Sequence, residues 1–156
     1  MLAWQWRSFE SLSVMELYDI LAAREAVFIV EQQCICQDID HLDSDAWHLI
    51  GRDRNSGTNA LLAYLRVVFP GKKYAEPSIG RVITTQDARG RGLGKALMAE
   101  GLKRVEAQYP NCAIRISAQV YLEQFYQDFG FQTVSEPYEE VGIPHIEMLR
   151  VPQTQR

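Results

Sequence analysis

A chain of 156 residues, 47% hydrophobic and 23% charged, fits one ordinary globular domain, long enough to bury a core without disulfides or metals and too short for a second full domain. Its net charge of −4 has the wrong sign for a protein that lives on a polyanion, which argues against nucleic acid as a partner. No stretch approaches the ~18 apolar residues of a membrane span, and residues 1–10, which include Arg7 and Glu10, lack the apolar run of a secretory signal, so a cytoplasmic protein with no membrane partner is expected.

In chain order, residues 4–8 read as a short first strand. Ser13-Val14-Met15-Glu16 then forms a capping box, in which Ser13 and Glu16 satisfy each other's backbone amides and start a helix. Leu17, Leu21, Arg24 and Phe28 recur at helical spacing with Ile20 and Val27 beside them, predicting an amphipathic helix to about Phe28 whose stripe faces the core. Residues 37–45 are polar and read as a loop. The apolar runs 47–52 and 60–69 flank the turn-forming cluster Asp53-Arg54-Asn55-Ser56-Gly57-Thr58-Asn59 and predict two antiparallel strands.

After Pro70-Gly71, residues 78–84 read as a buried strand, and a glycine-rich turn opens a helix from about Gly92 to Tyr109, stopped by Pro110-Asn111. Residues 113–118 are the next strand and 121–129 a short helix ended by Gly130, with two last strands at 131–134 and 146–150. Repeats, linkers and low-complexity tracts are absent from the sequence, so residues 1–156 are expected to form a single domain.

The unit from Ser78 onward carries the sharpest chemical signal. Free amides and the macrodipole at a helix N-terminus both favour a bound phosphate, and glycines let the backbone close on it. Arg89, Arg91 and Lys95 concentrate positive charge at this turn of an otherwise acidic chain, as a polyphosphate ligand requires. The spacing fits neither common nucleotide fingerprint. A Walker A loop needs Gly in place of Arg89 and Ser or Thr in place of Ala96, and the Rossmann pattern fails from every starting glycine.

Arg89-Gly90-Arg91-Gly92-Leu93-Gly94 resembles the Q/R-x-x-G-x-G/A signature of the GCN5-related N-acetyltransferase superfamily. Val82-Ile83-Thr84 stands where that family has its splayed strand, and Phe125-Tyr126 with Phe129-Gly130-Phe131 resembles its second motif, a tyrosine helix leading into a strand. Arg24, Val27-Phe28, Glu31-Gln32, Gln119, Tyr138-Glu139-Glu140 and Ile143-Pro144-His145 resemble the ElaA-like branch, so the similarity covers nearly the whole chain. There are departures. Superfamily members often carry Asn, then Ala three residues on, ahead of the tyrosine, where this chain has Gln119 and Leu122.

The resemblance implies an α/β fold with a mixed, mostly antiparallel central sheet of about six or seven strands, splayed where 78–84 and 113–118 run parallel. It also implies acetyl-CoA as co-substrate and acyl transfer to a primary amine. By the same resemblance, Val82, Ile83 and Thr84 pair with the pantetheine arm and supply an amide to the carbonyl oxygen, while Gln119 offers its side-chain amide to that arm. The pyrophosphate is expected on residues Arg89, Gly90, Arg91, Gly92, Leu93, Gly94 and Lys95. Tyr126 is the family's donor to the departing sulfur.

An acceptor amine with a pKa ~10.4 must lose a proton before it attacks, so a base or a water chain is required, with Glu31, His145 and Glu139 as candidates. Asp38, Asp40, Asp43 and Asp45, with Glu139 and Glu140, form acidic segments that would favour a cationic small-molecule or peptide amine. Cys34, Cys36 and Cys112 make an odd count without a disulfide framework. Cys34 and Cys36 with His41 and His48 match no familiar zinc spacing, so no metal is expected. The alternative to an enzyme is a non-catalytic acyl-CoA-binding sensor or interaction module, and a homodimer is compatible with either.

Overall fold

The computed structural model describes residues 2–55 and 57–152; Ser56, in the turn expected at 53–59, lies outside the described residues. The strands are β1 (Leu2–Ser8), β2 (Ala46–Asp53), β3 (Leu61–Val68), β4 (Ser78–Thr84), β5 (Ile114–Gln119), β6 (Gln132–Thr133), β7 (Tyr138–Glu140) and β8 (Ile143–Arg150). Three α-helices join them: α1 (Val14–Arg24), α2 (Leu93–Gln108) and α3 (Glu123–Gln127). One antiparallel sheet has the order β1-β2-β3-β4, and a second has the order β5-β8-β6 with β7 also paired to β8. The central sheet expected from the sequence is therefore two halves meeting where β4 faces β5.

The predicted capping box is present: Ser13 Oγ accepts from the Glu16 amide at 3.0 Å, and the Glu16 carboxylate accepts from the Ser13 amide at 2.8 Å. The helix it starts differs from the expected one in its second half. It is α-helical to Arg24 and then widens into a π-helical segment, Glu25–Glu31. The fully buried members of its inner face are Ile20 and Arg24, while Leu17, Leu21 and Phe28 are half-buried.

Alternation along β2 and β3 divides the core. Leu49, Leu65 and Val67 face α2 with Leu97, Met98 and Leu102, whereas Ile50 and Tyr64 point the other way, onto Ile20 of α1. Each such buried side chain contributes about 1.5–3 kcal/mol of apolar burial. Helix α2 lies close enough on β3 that a Cβ at Gly101 would come 2.8 Å from Leu65 Cδ2.

Strand β7 was not foreseen. Its hairpin turns on Val141 and Gly142 at φ +47° and +77°, between the paired residues Glu140 and Ile143. Two positive φ values suit a tight two-residue turn, but Val supplies none of the Asn-Gly or Asp-Gly signal that marks one in a sequence. Among the described residues, no helix is long and apolar enough to cross a membrane.

Candidate active site

Strands β4 and β5 are the facing edges of the two sheets. At their beginnings the Arg115 amide donates to the Pro77 carbonyl at 3.2 Å. Beyond that point they part, and a cleft of about 340 Å³ opens, walled by Gly80, Arg81 and Val82 on one side and by Ser117, Ala118 and Gln119 on the other. A bulge bends β4 away, since its register against β3 shifts between Tyr64 and Arg66. Arg81, at the bend, has φ +51°, which costs a non-glycine residue roughly 1–2 kcal/mol. Its guanidinium is held in place: Nε donates to Asp38 Oδ1 at 2.8 Å, Nη2 donates to the Asp38 carbonyl at 2.9 Å, and the group lies 5.9 Å from the Phe28 ring centroid.

The turn after β4 has the open, glycine-lined geometry that an anion at a helix N-terminus would need. Gly90 and Gly92 have φ +80° and +70°, and a Cβ added at Gly90, Gly92 or Gly94 would meet no atom within 4 Å. The turn is open on the side where a ligand would lie, and the first amides of α2 have no helical partner. Arg91 and Lys95 are exposed there without a carboxylate partner among the described residues. Arg89 is engaged instead, with Nη1 and Nη2 donating to Glu31 at 2.6 and 2.8 Å. That fork lowers the Glu31 carboxyl below its ordinary pKa. Glu31, expected as a candidate base, thus sits on the side of the glycine turn and does not line the cleft. Of the three β4 residues expected on the cofactor, Val82 lines the cleft, Ile83 is buried against α1, and Thr84 pairs with Ala63. The Ile83 side chain belongs to the core, so only its backbone is available to a ligand.

Tyr126 lies on the cleft wall at 7% exposure, edge-on to Phe125 at 5.1 Å and to Phe131 at 6.0 Å. Nothing among the described residues pairs with its hydroxyl. Burial first, with the charge of Tyr121 adding to it, pushes its pKa up to about 12. Across the β5–β8 ladder Gln119 stands opposite His145, so cross-strand pairing places the expected cofactor contact beside a candidate base. His145 Nδ1 lies 2.7 Å from the Ile143 carbonyl. A carbonyl only accepts, so Nδ1 carries the hydrogen and Nε2 remains to take a proton. Nε2 is 3.4 Å from Glu140 Oε2. Glu139, opposite Pro144, does not line the cleft.

The acidic loop is not the solvated, substrate-attracting face that its composition suggested. Asp38 accepts from Arg24 Nε at 2.9 Å and from Arg81, Asp40 from Arg66 Nη2 at 2.5 Å and Arg81 Nη2 at 3.3 Å, and Asp43 from Arg24 Nη1 at 2.7 Å and Arg66 Nη1 at 2.9 Å. Burial alone would raise the Asp40 and Asp43 carboxyls, but the arginine hydrogen bonds and charges outweigh it and hold both below the usual carboxylate range. Three arginines match three of the loop's four aspartates, and Lys72 Nζ lies 3.9 Å from the fourth, Asp45. The loop's negative charge is thus largely offset within the protein. Arg66 and Arg81 were missed in the sequence; the available sign was an arginine inside an apolar strand pattern.

His48 is committed to the same network. Its Nε2 lies 2.9 Å from the Asp43 carbonyl, and Nδ1 lies 2.6 Å from the Tyr64 hydroxyl, so both nitrogens are spent. Cys34 and Cys36 do line the cleft. A hydrogen bond to Cys34, then burial, pushes the Cys36 thiol up to about 11. Among the described residues, no group of three or more metal-type side chains is assembled.

A model of the acetyltransferase (GNAT) domain matches residues 59–151. A UPF0039 protein of Synechocystis is 43% identical over 150 residues, 96% of each chain. Protein ElaA of Escherichia coli is 41% identical over 152 residues, covering 96% of this chain and 97% of that one. Among solved structures, an acyl-CoA N-acyltransferase from Pseudomonas aeruginosa superposes with a TM-score of 0.90 at 38% identity, over 97% of this chain and 100% of the other. Escherichia coli ElaA superposes with a TM-score of 0.87 over 96% and 99%.

Proposed function

The chain belongs to the GNAT acetyltransferase family, and on that premise we propose that it works as one domain to transfer an acyl group, acetyl in the first instance, from acyl-CoA to a primary amine by direct attack. The observation that carries this reading is the opening between β4 and β5, which has the charged glycine turn beyond the end of β4 and the unpaired hydroxyl of Tyr126 on its wall.

In this reading the exposed amides of Gly92, Leu93 and Gly94, with Arg91 and Lys95, hold the pyrophosphate. The bent backbone at Val82, Ile83 and Thr84 and the amide of Gln119 hold the pantetheine arm. His145 Nε2 takes the proton from the acceptor amine, directly or through one water, and Glu140 stabilises the imidazolium. Tyr126 meets the departing sulfur. A free tyrosine has a pKa of ~10 against ~8.5 for a thiol, so full proton transfer is uphill by about 2 kcal/mol in water, and burial pushes the Tyr126 hydroxyl higher still. A hydrogen bond that strengthens as negative charge collects on sulfur is the better description of its role. A panel of amines, scored by release of the CoA thiol and by the mass of the N-acyl product, tests the proposal. Binding of acetyl-CoA with no amine-dependent release would leave a sensor.

A further inference from the structure

The acceptor end of the cleft carries one unpaired charge of each sign. With Asp38, Asp40 and Asp43 matched by Arg24, Arg66 and Arg81, Glu140 and Lys73 remain. Glu140 sits beside His145. Lys73 has no carboxylate within ion-pair distance among the described residues, and its ammonium lies 5.5 Å from the Tyr74 ring centroid. Both residues line the cleft. Lys73 is exposed at the rim; desolvation, the largest cause, lowers its pKa, and it feels the charges of Glu140, Arg66, Arg81 and Asp40. These groups therefore share one space.

A second observation points to the same end. Arg66 lines the cleft at 1% exposure, and its Nε, buried, has no hydrogen-bond partner among the described residues. Buried donors on charged groups are nearly always paired, so this one calls for an acceptor atom that the protein does not supply.

We propose that the acceptor is a small amine that also bears a carboxylate, an amino acid being the simplest case, with its amine at His145 and Glu140 and its carboxylate at Lys73 and Arg66 Nε. This rests on the transferase reading. A polyamine would leave Lys73 and Arg66 Nε unanswered and set like charges together, and a dianion without an amine would oppose Glu140; only a molecule with both poles complements the site. In the transfer, the amine nitrogen forms a bond to the acyl carbon and the carbon–sulfur bond breaks. The amine gives its proton to His145 and the departing thiolate regains one from solvent, leaving an N-acyl amino acid and free CoA thiol.

The test uses matched acceptors: lysine against cadaverine, phenylalanine against phenethylamine, and each amino acid against its primary amide. Thiol release is followed with wild type and with Lys73→Met, which alters only a rim side chain. The expected result is a kcat/KM preference for the carboxylate-bearing member of roughly tenfold or more, the size of one charge-assisted hydrogen bond. It should collapse to about threefold or less in Lys73→Met through a higher acceptor KM, while the KM for acetyl-CoA stays unchanged. Equal or faster turnover of the amides and decarboxylated amines, as expected if water alone fills the space at Arg66, would overturn the proposal and leave the transferase reading standing. A preference that survives Lys73→Met would also overturn it. Transfer to no member of any pair would overturn both.

Discussion

Arg81 stands in left-handed backbone at the bend of β4, and its Nε donates to Asp38 Oδ1 at 2.8 Å. The bend opens the cleft, and the contact ties it to the loop after the π-helical segment. Arg81→Ala removes the contact and keeps the unfavourable φ, whereas Arg81→Gly removes the contact and relieves it. Denaturant unfolding is expected to show a loss of roughly 1–3 kcal/mol for the alanine variant and roughly 1 kcal/mol less for the glycine variant. Equal stabilities, or a more stable alanine variant, would mean that the bend stores no strain.

The buried network gives stability a definite dependence on pH. Asp40 and Asp43 titrate lower folded than unfolded, so the unfolded chain binds more protons. Their contribution is complete above the ordinary carboxylate pKa of ~4 and is lost as pH falls below it. Burial lowers the His48 pKa as well, which adds a shallower loss beginning below pH ~6.5. Melting temperature should therefore fall gently below pH ~6.5 and steeply below pH ~4. Asp43→Asn, which leaves Arg24 and Arg66 under-compensated, should cost roughly 3 kcal/mol or more at neutral pH and flatten the acid limb. A variant that melts within a degree or so of wild type would contradict a structural role for Asp43.

The glycine turn offers a cleaner test of ligand binding than of folding. A Cβ at Gly94 meets no neighbour, and no positive φ demands glycine there, unlike at Gly92. Gly94→Asp should fold normally and lose most acetyl-CoA affinity by calorimetry, because a carboxylate is placed where the pyrophosphate must sit. Undiminished affinity would move the cofactor elsewhere.

Tyr126→Phe keeps the ring packed on Phe125 and Phe131 and removes only the free hydroxyl. A 10- to 1000-fold fall in kcat, with acetyl-CoA affinity preserved, is expected for one hydrogen bond made in the transition state. An unchanged kcat would assign the departing sulfur to water or to another group.

Local signals in the chain led to the elements that depend on local chemistry. The capping box at Ser13, the glycine turn and the strand at 78–84 need only neighbours in sequence, and all are present as expected. What stayed hidden depends on pairing across the fold. The acids at 38, 40 and 43 looked like a charged surface because their partners stand as far as 43 positions away, as Arg81 does from Asp38. Glu31 looked like a base for lack of any sign that Arg89, 58 positions on, would close on it. Of the three candidate bases, only His145 reaches the cleft, and nothing in its sequence neighbourhood separates it from Glu139. That distinction comes from the β7–β8 hairpin, whose valine-containing turn carries no turn signal.

Transfer of an acyl group to an amine would leave two products in equal amount, free thiol and N-acyl amine. Its most direct test is continuous detection of free CoA thiol from acetyl-CoA, with and without a panel of small amines and amino acids, alongside mass spectrometry of the products. Release should saturate with one class of acceptor and yield an equal amount of N-acetylated product. Tight binding of acetyl-CoA with release no faster in the presence of any amine than in buffer would contradict such transfer.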